Sequence, residues 1–415
     1  MATKSRYKPR NFRWFNKLIK YSFGEWIRVV YRVEPRGEEL FKTLPAPYVI
    51  VANHVSNRDP FLLSRFVPDP VYWVTSDGNM RTRLMRAVLG LVGSIPKTKA
   101  IPDMETVNLI VEVARKRKGV VGVFAEGQAS WDGRTLPLIP STAKLLKLLK
   151  VPVVAARIKG GFAALPRWTW KRRKGKVVIE WEILLKPDEL KALPAEEILR
   201  RLEKGLAHDE AAFLAAEPTA YESTRRAEHV ELALFMCPRC GSIGSLKSSR
   251  SRLNCGACGE ALSLGPDYRF RALGGGEPVF STIAAWDDWQ RAAMDELARR
   301  ALEEDSKRPL FSDPVLLFRG RKMNALGKIR TGTLVLYPDR LEMVGRFGSR
   351  LSFAIDSLEG AGVLKRNLFE FYVGRSLYQV RFQNRSLSAR KWLMGVEALA
   401  RVRAAGPAGP EGRGR

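Results

Sequence analysis

From Pro47 to about Leu185, short runs of β-branched and apolar residues alternate with stretches whose apolar positions recur every three or four residues. The short runs predict strands at Tyr48–Ala52, Val71–Thr75, Val120–Phe124, Val151–Ile158 and Lys176–Leu184. The longer periods predict helices over Arg81–Leu91, Asp103–Lys118 and Ser141–Lys150, with Gly119 placed to cap the second. Apolar strands separated by helices argue for an α/β domain with a mostly parallel sheet, which a polar helix, Ala195–Glu217, brings to its end. Upstream, Phe12, Phe15, Ile19, Phe23, Trp26, Ile27 and Val30 share one side of a helix whose other side carries Arg13, Lys17 and Lys20. Such a basic, aromatic helix either lies in a membrane interface or covers the next core. Downstream, LGGGEP (Leu273–Pro278) marks a break and Thr282–Glu304 reads as helix. From Val315 the pattern turns to alternating strands: Thr331–Tyr337, Arg340–Val344, Leu351–Ile355, Phe369–Val373 and Tyr378–Phe382. An amphipathic helix, Ser388–Val402, follows them, and the tail AAGPAGPEGRGR is expected to be disordered.

At 415 residues the chain is too long for one ordinary core, so two or three domains are expected. Its 71 Lys and Arg against 43 Asp and Glu give a net charge of +28, more than solubility requires. A polyanionic partner follows, either nucleic acid or an anionic membrane surface. The opening MATKSRYKPRNFRWF has no apolar run of the secretory type, and no segment reaches the roughly 18 apolar residues that span a bilayer. An intracellular protein that is not integral to the membrane is expected.

The stretch VANHVSNRDP (Val51–Pro60) sets His54 just beyond a strand, at the carboxyl edge where open α/β sheets bind ligands. Asp59-Pro60 has a plain local reading as a helix start, aspartate as N-cap and proline as first helical residue. A second polar cluster, FAEGQAS (Phe124–Ser130), leaves another strand in the same sense, so both loops should meet over one crevice. Gly127, next to Glu126, lets a substrate approach the backbone closely. His208 and His229 lie in polar helical text and read as surface histidines.

The order NH-x4-D (Asn53, His54, Asp59) and then Phe-x-Glu-Gly resembles the glycerolipid acyltransferase family, which includes the lysophosphatidic acid acyltransferases. The resemblance covers roughly residues 25–220, with GSIPKTK (Gly93–Lys99) and VPVVAARI (Val151–Ile158) as its second and fourth blocks. It implies an acyltransferase-like αβα domain, acyl-CoA or acyl carrier protein as donor, and a lysophospholipid as acceptor. It further implies direct attack by the acceptor hydroxyl, with His54 as base and Asp59 as its orienter. Asn53, Ser56, Lys97, Lys99, Glu126 and Gly127 are the implied substrate-binding residues. The chemistry is sensible, because a histidine of pKa about 6.5 takes and returns a proton readily near neutrality. Three positions depart from the family pattern: Lys99 stands for arginine, Ala125 for proline, and Ala129 for an arginine that would bind phosphate. Lys97, Lys99, Arg58 or Arg134 compensates for that last loss, or the acceptor is not a simple phosphate ester.

All four cysteines fall in the pattern CxxC-x14-CxxC: Cys237, Cys240, Cys255 and Cys258. Two such knuckles fit a structural Zn²⁺ with no open position, hence a zinc ribbon. The basic SLKSSRSRL (Ser245–Leu253) between them lacks interleaved aromatics for stacking bases, which disfavours nucleic acid. About seven strands closed by one helix resembles a PH-like or GRAM-like module in pattern alone. The expected organisation is an N-terminal helix (1–35), an acyltransferase domain (36–220), a zinc ribbon (230–265), a helical connector (266–312), a PH/GRAM-like domain (313–404) and a tail (405–415). The favoured reading is a cytoplasmic O-acyltransferase of phospholipid biosynthesis, held peripherally on anionic lipid at the inner face of the cell membrane. The alternatives are a non-catalytic lipid-binding protein on the same fold, or a nucleic-acid-associated zinc-ribbon protein. Acyl length, donor and oligomeric state are left open.

Overall fold

The computed structural model describes residues 7, 9–98, 103–304 and 307–405. Lys99 and most of the C-terminal tail lie outside the described residues. The chain divides into two compact units, one running to Ser223 and including Pro266–Tyr268, the other made of Thr224–Gly265 and the chain from Arg269.

The first unit opens with the amphipathic segment, as α1 (Arg13–Ile19), a π-helical turn (Lys20–Gly24) and α2 (Glu25–Val30). A π turn takes more residues per rotation than an α turn, so it shifts the phase of every side chain after it. Of the apolar face expected from the spacing, Ile27 is buried and Phe15, Ile19 and Val30 are half-buried, whereas Phe12, Phe23 and Trp26 are exposed; Trp14, Leu18, Tyr21 and Val29, off that face, are exposed too. Lys20, expected among exposed cations, donates through Nζ to the carbonyl of Val67 at 2.7 Å.

The sheet is assembled from β1 (Val33–Arg36), β2 (Val49–Ala52), β3 (Val71–Ser76), β4 (Ile95–Lys97), β5 (Val120–Phe124), β6 (Val153–Lys159) and β7 (Val177–Leu185), in the order β1-β7-β6-β2-β5-β3-β4. Only β6 and β7 pair antiparallel, so the sheet is mostly parallel as expected. Its helices are α3 (Asp59–Ser64), α4 (Arg83–Leu91), α5 (Met104–Val111), α6 (Ser141–Leu149), α7 (Gly161–Ala164), α8 (Pro187–Ala192), α9 (Ala195–Leu206) and α10 (Glu210–Ala216). Val49, Val51, Val121, Val153 and Ala155 face α5, α6 and α9 across one continuous apolar core. The central strands are apolar on both faces because both are covered.

Two details differ from the periodicity. The polar helix expected over 195–217 is two helices, because Asp209 turns its carboxylate onto the amides of Ala211 and Ala212 and starts α10 afresh. The helix before β5 closes with Lys118, not Gly119, in the left-handed conformation, while the Gly119 amide donates to the Val113 carbonyl at 3.0 Å.

In the second unit β8 (Leu246–Ser249), β9 (Arg252–Cys255), β10 (Ala261–Leu264) and β11 (Phe270–Ala272) form an antiparallel meander carrying both cysteine knuckles. The long helix α11 (Ile283–Glu303) follows, capped by the Thr282 hydroxyl. Then come seven antiparallel strands, β12 (Phe311–Gly320), β13 (Gly327–Leu336), β14 (Arg340–Gly345), β15 (Arg350–Ala354), β16 (Glu359–Leu364), β17 (Leu368–Val373) and β18 (Ser376–Phe382), ordered β15-β14-β13-β12-β18-β17-β16. Helix α12 (Ala389–Ala405) closes this sheet through buried Trp392, whose indole N–H donates to Asp313 at 2.7 Å. A buried ion pair, Arg390 to Asp287 at 2.6 Å, ties α12 to α11.

Candidate active site

Strands β2 and β5 are parallel neighbours with Ala52 opposite Phe124, so their loops leave the sheet side by side. This register is what brings His54 to Glu126. The His54 amide donates to Glu126 Oε1 at 2.6 Å, and the His54 carbonyl accepts from the Ser130 amide at 2.9 Å. The histidine is thus gripped on both sides by the loop after β5.

Asp59 is buried and does not cap α3; the N-cap position is Arg58. Its carboxylate turns back instead. Oδ2 accepts from His54 Nδ1 at 2.7 Å, from the Val55 amide at 2.7 Å and from the Ser56 amide at 2.9 Å, while Oδ1 accepts from the Ser56 hydroxyl at 2.8 Å. With a proton fixed on Nδ1 by this carboxylate, Nε2 is the basic nitrogen of the ring. The imidazole keeps 16% of its side-chain surface exposed, against 2% for Asp59.

A three-ring stack backs the histidine. His54 lies over Phe124 at 4.2 Å between centroids, and Phe124 over Trp73 at 4.9 Å, with interplanar angles of 23° and 16°. Gly122 makes this possible, since a Cβ there would come within 2.3 Å of the Trp73 ring. The sequence reading did not find this stack, although Gly122 inside an apolar strand is the mark of a close approach.

Several residues expected to touch substrate act on the protein itself. The Asn53 side chain exchanges two hydrogen bonds with the main chain of Ile158, at 2.9 and 2.7 Å, and so ties the loop to β6. Glu126 has both oxygens on amides, those of His54 and of Leu136, the latter at 2.7 Å. Burial pushes its carboxyl up to about 8, against the pull of those two amides, so the acid form prevails at neutral pH. Ser56 orients Asp59. Gly127 has φ +70°, and a Cβ there would meet Ile139 at 2.7 Å, so turn geometry and packing both require glycine. Lys97 ends the outermost strand β4, with β5 and β3 between it and β2. His208 is not a surface residue: its ring is buried and bonded to Glu210 at 2.7 Å. His229 is half-buried, with its amide on Ser248.

In the second unit the four sulfur atoms of Cys237, Cys240, Cys255 and Cys258 lie within 4.8 Å of one another. Cys237 and Cys258 are 3.8 Å apart, as are Cys240 and Cys255. Bonds of about 2.3 Å to a tetrahedral ion separate sulfurs by about 3.8 Å, so this donor set fits a metal of zinc type. Each knuckle is turned by a left-handed glycine, Gly241 and Gly259, whose amide bonds back to the carbonyl of Cys237 or Cys255.

A mostly parallel sheet with a carboxylate-held histidine at its carboxyl edge defines the candidate site of the first unit. Residues 32–159 match the Acyltransferase family model. The 1-acyl-sn-glycerol-3-phosphate acyltransferase of Saccharomyces cerevisiae is 29% identical over 147 residues, which are 34% of this chain and 46% of the relative. The chain thus spans about half the length of that curated relative. A solved structure, the 1-acyl-sn-glycerophosphate acyltransferase PlsC of Thermotoga maritima, aligns with a TM-score of 0.41 and 20% identity, over 49% of this chain and 80% of that one. Among the described residues no helix is long and apolar enough to cross a membrane.

Proposed function

We propose that this protein transfers a fatty acyl group from acyl-CoA or acyl carrier protein to the hydroxyl of a 1-acylglycerol-3-phosphate-like lysophospholipid, in phospholipid biosynthesis. The carrying observation is the 2.7 Å contact from His54 Nδ1 to Asp59 Oδ2 at the mouth between β2 and β5. His54 Nε2 takes the hydroxyl proton as the acceptor oxygen attacks the thioester carbonyl. The C–O bond forms, the tetrahedral intermediate collapses, and the C–S bond breaks. The departing thiolate takes the proton from the imidazolium, so free thiol and new ester leave together. Asp59 keeps the ring in the useful tautomer and stabilises its charged form. Asn53, Ser56 and Glu126 serve as positioning residues in this scheme.

The same reading gives the cysteine cluster a structural Zn²⁺, since four thiolates leave no open coordination position. It also places the protein on anionic lipid at the inner face of the cell membrane. Trp14, 64% exposed, with Leu18 and Tyr21 beside it, offers an interfacial anchor, and the excess of cations adds electrostatic attraction. The domain boundaries set out above are part of this proposal.

Purified protein, labelled acyl-CoA or acyl carrier protein and a panel of lyso-lipids test the reading. His54→Ala should lower transfer by about 10² to 10⁴, the usual contribution of a general base, while lipid binding persists. No transfer by the wild-type protein with either donor would leave a lipid-binding protein on an acyltransferase fold.

A further inference from the structure

The turn between β14 and β15, Arg346-Phe347-Gly348-Ser349, carries a phenylalanine whose side chain is fully exposed. The Gly345 amide donates to the Ser349 carbonyl at 2.8 Å, and the Ser349 hydroxyl donates to the Arg346 carbonyl at 3.2 Å. The turn is thus closed by its own polar groups and needs nothing from an aromatic ring. The backbone argues against phenylalanine as well. Phe347 and Gly348 both have positive φ, +57° and +73°, a left-handed pair that asparagine and glycine adopt readily and a bulky side chain does not. An aromatic residue here gives the fold no burial and costs it backbone strain. A strained position that adds nothing to packing points to a use outside the fold.

The surroundings of the ring are cationic. Gly332 of β13 pairs with Gly345, so the earlier residues of β13 run beside the turn, and the stem of Arg330 comes within 3.1 Å of where a Cβ on Gly345 would lie. Arg350 pairs with Val344 at the root of the hairpin and is exposed, although its Nη1 meets Glu342 at 3.2 Å. That carboxylate is buried and is shared with Arg340 and the Ser352 hydroxyl. Arg346 and Lys328 are exposed too. Neither 327–332 nor 345–351 contains an acidic residue. Between Lys328 and Arg330 a β-bulge turns Ile329 out of the ladder, and it also is exposed. Two exposed apolar side chains, Ile329 and Phe347, therefore stand among four cations. A hairpin tip is convex, which suits a broad surface better than a small ligand. An anionic bilayer is such a surface, with phosphates outside for the cations and an apolar boundary beneath for the ring.

We propose that the tip of the β14–β15 hairpin is a second lipid-contact site, in which Phe347 enters the boundary between head groups and acyl chains of an anionic bilayer while Lys328, Arg330, Arg346 and Arg350 meet lipid phosphates. The proposal rests on the reading of the protein as peripheral to anionic lipid and is independent of acyl transfer. It gives the second unit a lipid contact of its own, in addition to that of the N-terminal helix. The contact recognises charge and an apolar boundary, so it selects anionic over neutral bilayers without reading one particular head group.

Binding of the full-length protein to vesicles, followed by sedimentation, tests the site, with an equal mixture of phosphatidylcholine and phosphatidylglycerol against phosphatidylcholine alone. Phe347→Asn removes the ring and supplies a residue suited to the left-handed turn. The melting temperature should therefore hold or rise while affinity for the mixed vesicles falls about 10-fold. A ring that packs within the fold would move both downward, and that result would overturn the assignment. Phe347→Trp should keep the wild-type affinity, since indole also favours the interface. Arg346→Gln combined with Arg350→Gln should weaken binding to the mixed vesicles about 30-fold, at about 5-fold for each cation, and leave binding to phosphatidylcholine nearly unchanged. Equal affinity of wild type and Phe347→Asn for the mixed vesicles would reject the hairpin, as would an effect of Phe347→Asn on DNA binding with none on vesicles. Wild-type protein that binds neither vesicle would refute the peripheral reading and this site together. Loss of binding confined to the Trp14→Ser, Leu18→Ser, Tyr21→Ser variant would refute this site alone.

Discussion

Replacing Asp59 by Asn separates the charge of this residue from its hold on the His54 ring. Oδ2 of Asp59 meets three N–H groups and Oδ1 meets one hydroxyl. An asparagine with its carbonyl at the Oδ2 position keeps all three N–H bonds, and its NH₂ then faces a hydroxyl that can rotate to accept. The flipped amide would set a donor against the two main-chain donors of Val55 and Ser56. At about 1–3 kcal/mol for each unsatisfied buried group, that flip is disfavoured by about 2–6 kcal/mol. The proton therefore stays on Nδ1, and Nε2 stays basic. What disappears is the negative charge behind the imidazolium. Charge-assisted bonds exceed neutral ones by about 1–2 kcal/mol, so kcat should fall by roughly 5- to 30-fold.

Asp59→Ala behaves differently, because it strands both main-chain amides and releases the ring. It should lose about 2–6 kcal/mol of stability by urea unfolding, along with most of the transfer. The paired assay is kcat with labelled acyl donor and the urea midpoint, on wild type, Asp59→Asn, Asp59→Ala and His54→Ala. If Asp59→Asn were as inactive as His54→Ala, or as unstable as Asp59→Ala, the amides of Val55 and Ser56 would not be setting the tautomer, and the reasoning would fail.

Four further outcomes are expected. Glu126 holds its proton in the folded state up to about 8 but releases it near 4.3 when unfolded, so this residue makes stability fall as pH rises between those values; urea midpoints from pH 5 to 8.5 should show a flatter curve for Glu126→Gln, and an identical slope would refute the burial argument. Gly122→Ala forces a Cβ into Trp73 and should cost about 1–3 kcal/mol while tilting the ring stack, so both the melting temperature and acyl transfer should drop. Metal analysis should find one zinc per chain, and Cys255→Ser should release it and lower the thermal stability of the second unit; metal-free protein with unchanged melting would contradict the ribbon. Replacing Trp14, Leu18 and Tyr21 by Ser should weaken binding to anionic vesicles at every salt concentration, whereas added salt alone should weaken the wild type by screening.

Much of the first unit could be read from residues alone, and the reason is local. Val49–Ala52 and Val120–Gly122 are buried on both faces, so each belongs to a short apolar run whose length and flanking turn residues mark a strand. The short edge strands β1 and β4 were missed, since Val33–Arg36 and Ile95–Lys97 each contain a proline and are half-exposed. Phase is harder to read than period. Beyond the π turn at Lys20–Gly24 the expected apolar face is only partly covered, with Ile27 buried but Phe23 and Trp26 exposed.

The candidate site divides along the same line. The pairing of His54 with Asp59 spans five residues and could be anticipated, but the purpose of its neighbours could not. Asn53 answers to Ile158, 105 positions away, and Glu126 to an amide 72 positions back, so both are polar residues in a polar loop until the fold supplies their partners. Residues that look like substrate ligands because they are polar and adjacent to a base are, for that reason, also the best candidates for holding the base still. A loop that leaves a buried strand carries main-chain groups that must be bonded within the protein, and the nearest polar side chains meet that demand first.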